Sequence, residues 1–294
     1  MRKRWMSTAS AVLAGLLLLV TGCAQNKMNA VAQGSPPDKL LAAAGAAMDQ
    51  KNYAEAMKNY RLAADAGDAS AMNGVGWLYE NGYGVPKDFT QAMTWYRKAA
   101  DADYGEAMNN IGWLYQHGAG VTKDYAEALK WYRKAMATGS VAALNRIGRL
   151  YERGWGVDQD YVEALKWYRK AADAGVAAGM CNVGWFYHQG LGVNADYAEA
   201  MSWYRKAAAA GNGMAMRNIG VLYAEGLGAP KDYVEAMKWY RQAADAGNGL
   251  AMASIGDFYA DGLGVEKSFT EATKWYRKAA DAGDERAKKW LSDR

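Results

Sequence analysis

Residues 107–139 read AMNNIGWLYQHGAGVTKDYAEALKWYRKAMATG, two apolar patterns of helical period separated by a glycine loop. Met108, Ile111, Gly112 and Tyr115 fall at i, i+3, i+4 and i+7, and Tyr125, Ala128, Leu129 and Tyr132 repeat that spacing. Each half therefore presents one face to a core. The stretch recurs every 36 residues: Tyr132 has counterparts at Tyr60, Tyr96, Tyr168, Tyr204, Tyr240 and Tyr276. Trp131 has counterparts at Trp95, Trp167, Trp203, Trp239 and Trp275, with Asn59 as the exception. A fixed period of this length is the mark of an array.

The link between the two helices, A and B, is equally regular. Gly118, Gly120 and Val121 are matched by Gly82, Gly84 and Val85 or by Gly262, Gly264 and Val265. Glycine takes positive φ without a Cβ penalty, so helix A ends there. Helix B begins on a capping box, in which a side chain accepts from the third helical N–H and a Glu or Gln reaches back to the cap. The pairs are Asp88 and Gln91, Asp124 and Glu127, Asp160 and Glu163, Asp196 and Glu199, Asp232 and Glu235, and Ser268 with Glu271. Pattern, cap and breaker agree on all-α helical hairpins.

Outward from the array, Arg2, Lys3 and Arg4 precede an apolar run from Ala9 to Val20, the layout of a signal peptide over residues 1–22. Val20-Thr21-Gly22-Cys23 resembles the bacterial lipobox, which implies lipid attachment at Cys23. Ala24 after it resembles the outer-membrane sorting state of Gram-negative lipoproteins, so the expected location is the outer membrane, facing the periplasm; the alternative is a soluble secreted or periplasmic protein. Residues 23–37 end in Gly-Ser-Pro-Pro and read as a lipidated N-terminus and tether, about 20 Å long as a coil. The first hairpin, 38–67, aligns only with its loop shortened by five residues, as in a terminal unit. Units 68–103, 104–139, 140–175, 176–211, 212–247 and 248–283 follow, and a lone helix, 284–294, with Trp290 and Leu291 on one side closes the array. That makes fifteen helices.

Loss of Arg2, Lys3 and Arg4 with the leader takes the formal charge from +4 to about +1, and no nucleic-acid surface is implied. With Cys23 acylated, Cys181 has no disulfide partner within the chain, so packing alone holds the array. Each Tyr of the 36-residue column is expected to pack on the next hairpin, and the matching Trp column to be framework.

GWLYENGYGVPKDFTQAMTWYRKAADAD, from Gly76 to Asp103, resembles a Sel-1-like repeat, departing mainly at Asp103, where the pattern has Gly. The resemblance spans roughly residues 38–294, with departures such as Phe186 and Phe258 for Leu, Ala229 for Val and Ser268 for Asp. It implies a right-handed α-solenoid of about seven hairpins plus a C-terminal capping helix, working as an adaptor or scaffold for a protein partner.

Five columns of helix A vary while their neighbours hold, and in related tetratricopeptide arrays such columns line a concave groove. Trp77, Trp113 and Trp185 sit where the repeat demands no aromatic, and Trp with Arg is enriched in binding hot spots. Asn73, Asn109 and Asn145 fall in successive units and are placed to bond the backbone of an extended segment, as the corresponding asparagines do in peptide-binding arrays. Arg149, Arg153 and Arg217 would face its carboxylates, and His117 and His188 complete the expected partner-binding set.

Catalysis is not expected. The chain has two histidines, no His-Glu-x-x-His and no Gly-x-Ser-x-Gly. Cysteine-rich relatives have been associated with β-lactam hydrolysis, but this chain lacks Ser-x-x-Lys and a cysteine pair per repeat, so a β-lactam hydrolase is a distant alternative. A metal shared by His117, Cys181 and His188 is not expected either, since two hairpin steps of about 10 Å separate the histidines. No cofactor is implied. Two roles remain: an envelope scaffold that gathers a partner, and an immunity protein that neutralises an antibacterial effector such as a phospholipase, as the resemblance to periplasmic immunity lipoproteins suggests.

Overall fold

Polar caps open most of the helices and glycines close most of them, at the spacing of the repeat. The computed structural model describes residues 36–293; the expected signal peptide and Cys23 lie outside the described residues. Fifteen helices and no strand are present among the described residues. They are α1 (Pro37–Asp49), α2 (Tyr53–Asp65), α3 (Ala69–Asn81), α4 (Phe89–Ala100) and α5 (Gly105–His117). Then come α6 (Tyr125–Ala137), α7 (Ala142–Arg153), α8 (Tyr161–Asp173), α9 (Ala177–Gln189) and α10 (Tyr197–Ala209). The last five are α11 (Gly213–Glu225), α12 (Tyr233–Asp245), α13 (Gly249–Asp261), α14 (Phe269–Asp281) and α15 (Glu285–Ser292). They fall into two compact units divided between Lys123 and Asp124, α1–α5 in the first and α6–α15 in the second. None of these helices is long and apolar enough to cross a membrane.

Two boundaries differ from the sequence-based expectation. Pro36 and Pro37, expected at the end of a tether, instead start α1, with Pro36 as its N-cap. Proline lacks the N–H that a first helical turn leaves unused, and its fixed φ suits that position. The first loop holds the three residues between α1 and α2, against seven between α3 and α4. It is thus shorter by four rather than five, because α1 runs the full 13 residues.

Helix A ends as expected, with Gly82, Gly118, Gly154, Gly190, Gly226 and Gly262 left-handed at φ 66–76°. The second loop glycine carries a further constraint. At Gly192 a Cβ would lie 2.6 Å from the Tyr161 carbonyl carbon of the preceding hairpin, so positive φ and close backbone approach both exclude a side chain. Helix B caps are half of the expected box. Asp88, Asp124, Asp160, Asp196, Asp232 and Ser268 accept from the N–H three residues on. The cap's own N–H, however, donates to a helix A carbonyl: Asp88 to Tyr79, Asp160 to Tyr151, Asp196 to Tyr187, Asp232 to Tyr223 and Ser268 to Tyr259, at 2.8–3.0 Å. With that donor taken, glutamates turn to lysines three residues on, as in Glu163–Lys166 and Glu235–Lys238.

The tyrosine column is the core. Tyr96, Tyr132, Tyr168 and Tyr204 are at most 1% exposed. Four rings of the column lie against a helix A glycine of their own hairpin: a Cβ on Gly76, Gly148, Gly184 or Gly220 would sit 2.6–2.8 Å from Tyr96, Tyr168, Tyr204 or Tyr240. The far side meets the next hairpin, as expected, with Phe186 and Phe258 edge-on to Tyr168 and Tyr240 at 5.2 Å. Trp203, Trp239 and Trp275 pack on the core that their own helix A shares with the preceding hairpin, and a lysine three residues on covers most of the column, as Lys206 covers Trp203 at 4.0 Å.

A ladder absent from the sequence-based expectation joins the hairpins. Arg61, Arg97, Arg133, Arg169, Arg205 and Arg241 of helices B donate to the hydroxyls of Tyr79, Tyr115, Tyr151, Tyr187, Tyr223 and Tyr259 on the helices A that follow. Each rung is exposed, so its individual contribution is about 0.2–1 kcal/mol, but the repetition fixes the register of neighbouring hairpins within each unit.

Candidate partner-binding groove

The framework tyrosine sets the first layer of the site. Its ring enters from helix B and its hydroxyl emerges on helix A, 16 residues back in sequence. Tyr96 donates to Glu80 and Tyr168 to Glu152, both at 2.5 Å, and Tyr204 lies 3.4 Å from His188 Nδ1. Burial, reinforced by the adjacent carboxylates, pushes the Tyr96 and Tyr168 phenols far above their ordinary value, so they remain neutral donors. His188, expected to bind a partner, is accordingly half-buried against Tyr204 and Tyr197. Burial lowers its pKa. It serves the framework, as Glu80 and Glu152 do.

In the second unit, α7, α9 and α11 line a groove of about 510 Å³ that brings together Asn145, Arg149, Arg153, Trp185 and Arg217. Trp185 is 40% exposed and Met214 41%. Asn182 donates to Asn145 Oδ1 at 2.8 Å, which leaves the Asn145 amide N–H groups as donors. Glu152 is engaged twice, by the Tyr168 hydroxyl and by Arg153 at 3.4 Å. Arg149 has no carboxylate partner among the described residues. Arg217 reaches Asn218 Oδ1 at 3.4 Å, while its Nε is shielded from solvent with no acceptor. Cys181 also borders the groove, buried, its thiol pushed up to about 12 by that burial. Such a thiol is a packing group rather than a nucleophile.

The first unit arranges its candidates differently. Trp77 is 38% exposed and leans on Tyr83, which stacks on Tyr53 at 4.5 Å. Trp113 is half-buried, stacked on the exposed His117 at 4.3 Å and tilted against Phe89. Asn73 accepts from Asn110 at 3.0 Å. Asn109 is only 6% exposed, with Oδ1 unpartnered, so it is not accessible to the backbone of a partner. The asparagine column thus divides into a half-buried kind, Asn73 and Asn145, and a buried one, Asn109.

Sequence reasoning missed Asn182, Asn218, Tyr83 and the tyrosine-hydroxyl column. A signal existed for two of these. Asn110 follows Asn73 and Asn182 follows Asn145 by 37 residues, one more than the period, and the hydroxyl partners of Tyr96, Tyr168 and Tyr204 precede their tyrosines by 16, whereas Tyr276 donates to Asp257, 19 residues back.

Paired helices closed by a two-glycine loop, with side chains free of the framework on helix A, define an α-solenoid of helical repeats. The chain belongs to the Sel1 repeat family: the model described as Sel1 repeat matches residues 40–68, 69–104, 105–137, 141–176, 177–212, 213–248 and 249–284. It is similar to the crystal structure of a Sel1 repeat protein from Oxalobacter formigenes, with 38% identity and TM-score 0.74, covering 81% of this chain and 98% of that one. A protective antigen of uropathogenic Escherichia coli strains displaying an SLR fold is 36% identical with TM-score 0.65, over 79% of this chain; this chain spans only 50% of the antigen's length. An immunity protein of Pseudomonas aeruginosa shares the fold at 18% identity and TM-score 0.54, covering 73% of this chain and 81% of that one. No curated protein sequence matches.

Proposed function

We propose that this Sel1 repeat protein is a non-catalytic adaptor of the cell envelope that holds a protein partner in the groove of α7, α9 and α11, and that a lipid on Cys23 anchors it to the outer membrane. The observation that carries the reading is the groove itself. Five side chains that the repeat does not prescribe meet there, two of them arginines with unspent hydrogen-bonding capacity. Exposed Trp185 and Met214 beside them supply the apolar surface that a partner would cover. An immunity role would use the same groove. The likeness to the Pseudomonas immunity protein extends to the fold alone, so the adaptor reading is preferred.

The test is capture from envelope extract with the full chain, followed by mass spectrometry and titration of the partner found. Truncating a hot-spot Trp costs about 2 kcal/mol or more, so Trp185→Ala is expected to weaken binding roughly thirtyfold without lowering the melting temperature. Lys130→Glu, on the solvent side of α6, is expected to leave affinity alone. A partner held equally by Trp185→Ala would remove the groove from the reading, and recovery of a toxic effector would favour immunity over scaffolding.

A further inference from the structure

We infer that the groove selects an extended partner segment in which an apolar residue is flanked on both sides by carboxylates. The inference rests on the proposed groove function and adds the chemistry of the ligand. The polar lining is dominated by donors. Asn145 has its oxygen occupied, Arg149 lacks an acid, and Arg217 keeps an Nε shielded from solvent without an acceptor. The nearby carboxylate, Glu152, is spent on Tyr168 and Arg153. A buried guanidinium N–H left without an acceptor is costly, and a carboxylate from outside relieves it with a charge-assisted bond.

The cations are also separated. Arg149 and Arg153 are one helical turn apart on α7, so one acidic group can lie between them. Arg217 stands on α11, two hairpins on, with α9 and Trp185 between. Two packing steps of about 10 Å each, less the reach of the arginine side chains, leave a span too wide for a single carboxylate. At about 3.3 Å per residue an extended segment crosses it in roughly three to five residues. Its middle then lies over Trp185 on α9, and Met214, one turn before Arg217 on α11, extends the apolar floor toward the far carboxylate.

The probe is a fluorescein-labelled peptide, acetylated and amidated, with Glu-Glu on each side of a central Leu-Phe. Its binding to the full-length protein is read by anisotropy, beside a counterpart with lysines for glutamates and beside inorganic tripolyphosphate as competitor. The acidic peptide is expected to bind saturably and the lysine peptide at least about tenfold more weakly. Arg149→Glu and Arg217→Gln are each expected to weaken binding about tenfold or more, whereas Lys166→Glu, paired with Glu163 outside the groove, leaves it unchanged. Circular dichroism melts confirm that each variant is folded, and Arg217→Lys, which keeps the charge, covers a folding failure of Arg217→Gln. Equal binding of both peptides overturns the inference. So does displacement of the acidic peptide by tripolyphosphate together with equal binding of a peptide carrying Ser-Ser in place of Leu-Phe, since that marks a plain polyanion site. If neither peptide binds while a captured partner still depends on Trp185, the ligand chemistry is wrong and the groove reading stands.

Discussion

The glycine beside each framework tyrosine shows how far a single position is dictated by its neighbour. At Gly148 a Cβ would come within 2.8 Å of two Tyr168 ring atoms and 3.3 Å of the Ala164 carbonyl oxygen, with Tyr168 only 1% exposed. Overpacking of this kind costs about 1–3 kcal/mol, against a gain of up to about 1 kcal/mol from replacing a mid-helix glycine. Gly148→Ala is therefore expected to lower the melting temperature, whereas Gly45→Ala, where nothing lies within 4 Å of the new methyl, should raise it. The same column sets a pH response at His188, whose pKa is lowered by burial despite a small opposing effect of Glu225. Among the described groups packed around it are the rings of Tyr197, Tyr204 and Trp185. Because the unfolded chain binds the proton more readily, His188 subtracts stability as pH falls below its ordinary 6.5. Melts between about pH 7 and pH 5 should show His188→Gln losing less stability than wild type. The glycine-tyrosine period is plain in the sequence, but the hydroxyl's acceptor is not. Two glutamates, Glu80 and Glu152, and a histidine, His188, fill that position, and only the fold shows that the hydroxyl meets all three.

Helix ends obey local chemistry more closely, which is why the hairpins are legible in the amino-acid sequence. Most helices B are followed by a left-handed glycine, among them Gly67, Gly139, Gly175, Gly211, Gly247 and Gly283 at φ 80–94°. Asp103 takes that position in one hairpin, at φ 57°, the same residue at which the sequence departs from the repeat. A non-glycine residue there is strained, so Asp103→Gly is expected to stabilise the protein, by about 1 kcal/mol at most because aspartate tolerates this region better than most residues. A chemical-denaturation midpoint no higher than wild type would refute the account. The cap N–H is harder to read. A Glu three residues after an Asp satisfies the capping-box pattern, yet the structure gives that N–H to a tyrosine carbonyl contributed by helix A. The acceptor belongs to another element, and spacing within helix B carries no trace of it.

For the molecule as a whole, the columns left free by the repeat are legible in the sequence, but their gathering is not. Asn145, Arg149, Arg153, Trp185 and Arg217 share one groove, while Asn109, with the same residue type in the same column as Asn145, is buried. Column position fixes a place on the helix, whereas exposure depends on the size and pairing of side chains in the hairpins on either side. The proposed anchor is a property of the whole chain and is argued from chemistry rather than packing. Burial of acyl chains contributes roughly 0.8 kcal/mol per CH₂, so a single chain binds marginally and two or more hold durably. If Cys23 carries them, nothing in the repeat array needs to touch the membrane, and replacing this one residue should change location without changing fold. Cys23→Ala is expected to abolish incorporation of labelled fatty acid and either to release the protein from the sedimenting membrane fraction or to leave it as the unprocessed precursor. Melting of the repeat array should stay as in wild type. Labelling and fractionation that persist in Cys23→Ala would show that attachment lies elsewhere, and the proposed outer-membrane adaptor would lose its proposed anchor while the groove kept its chemistry.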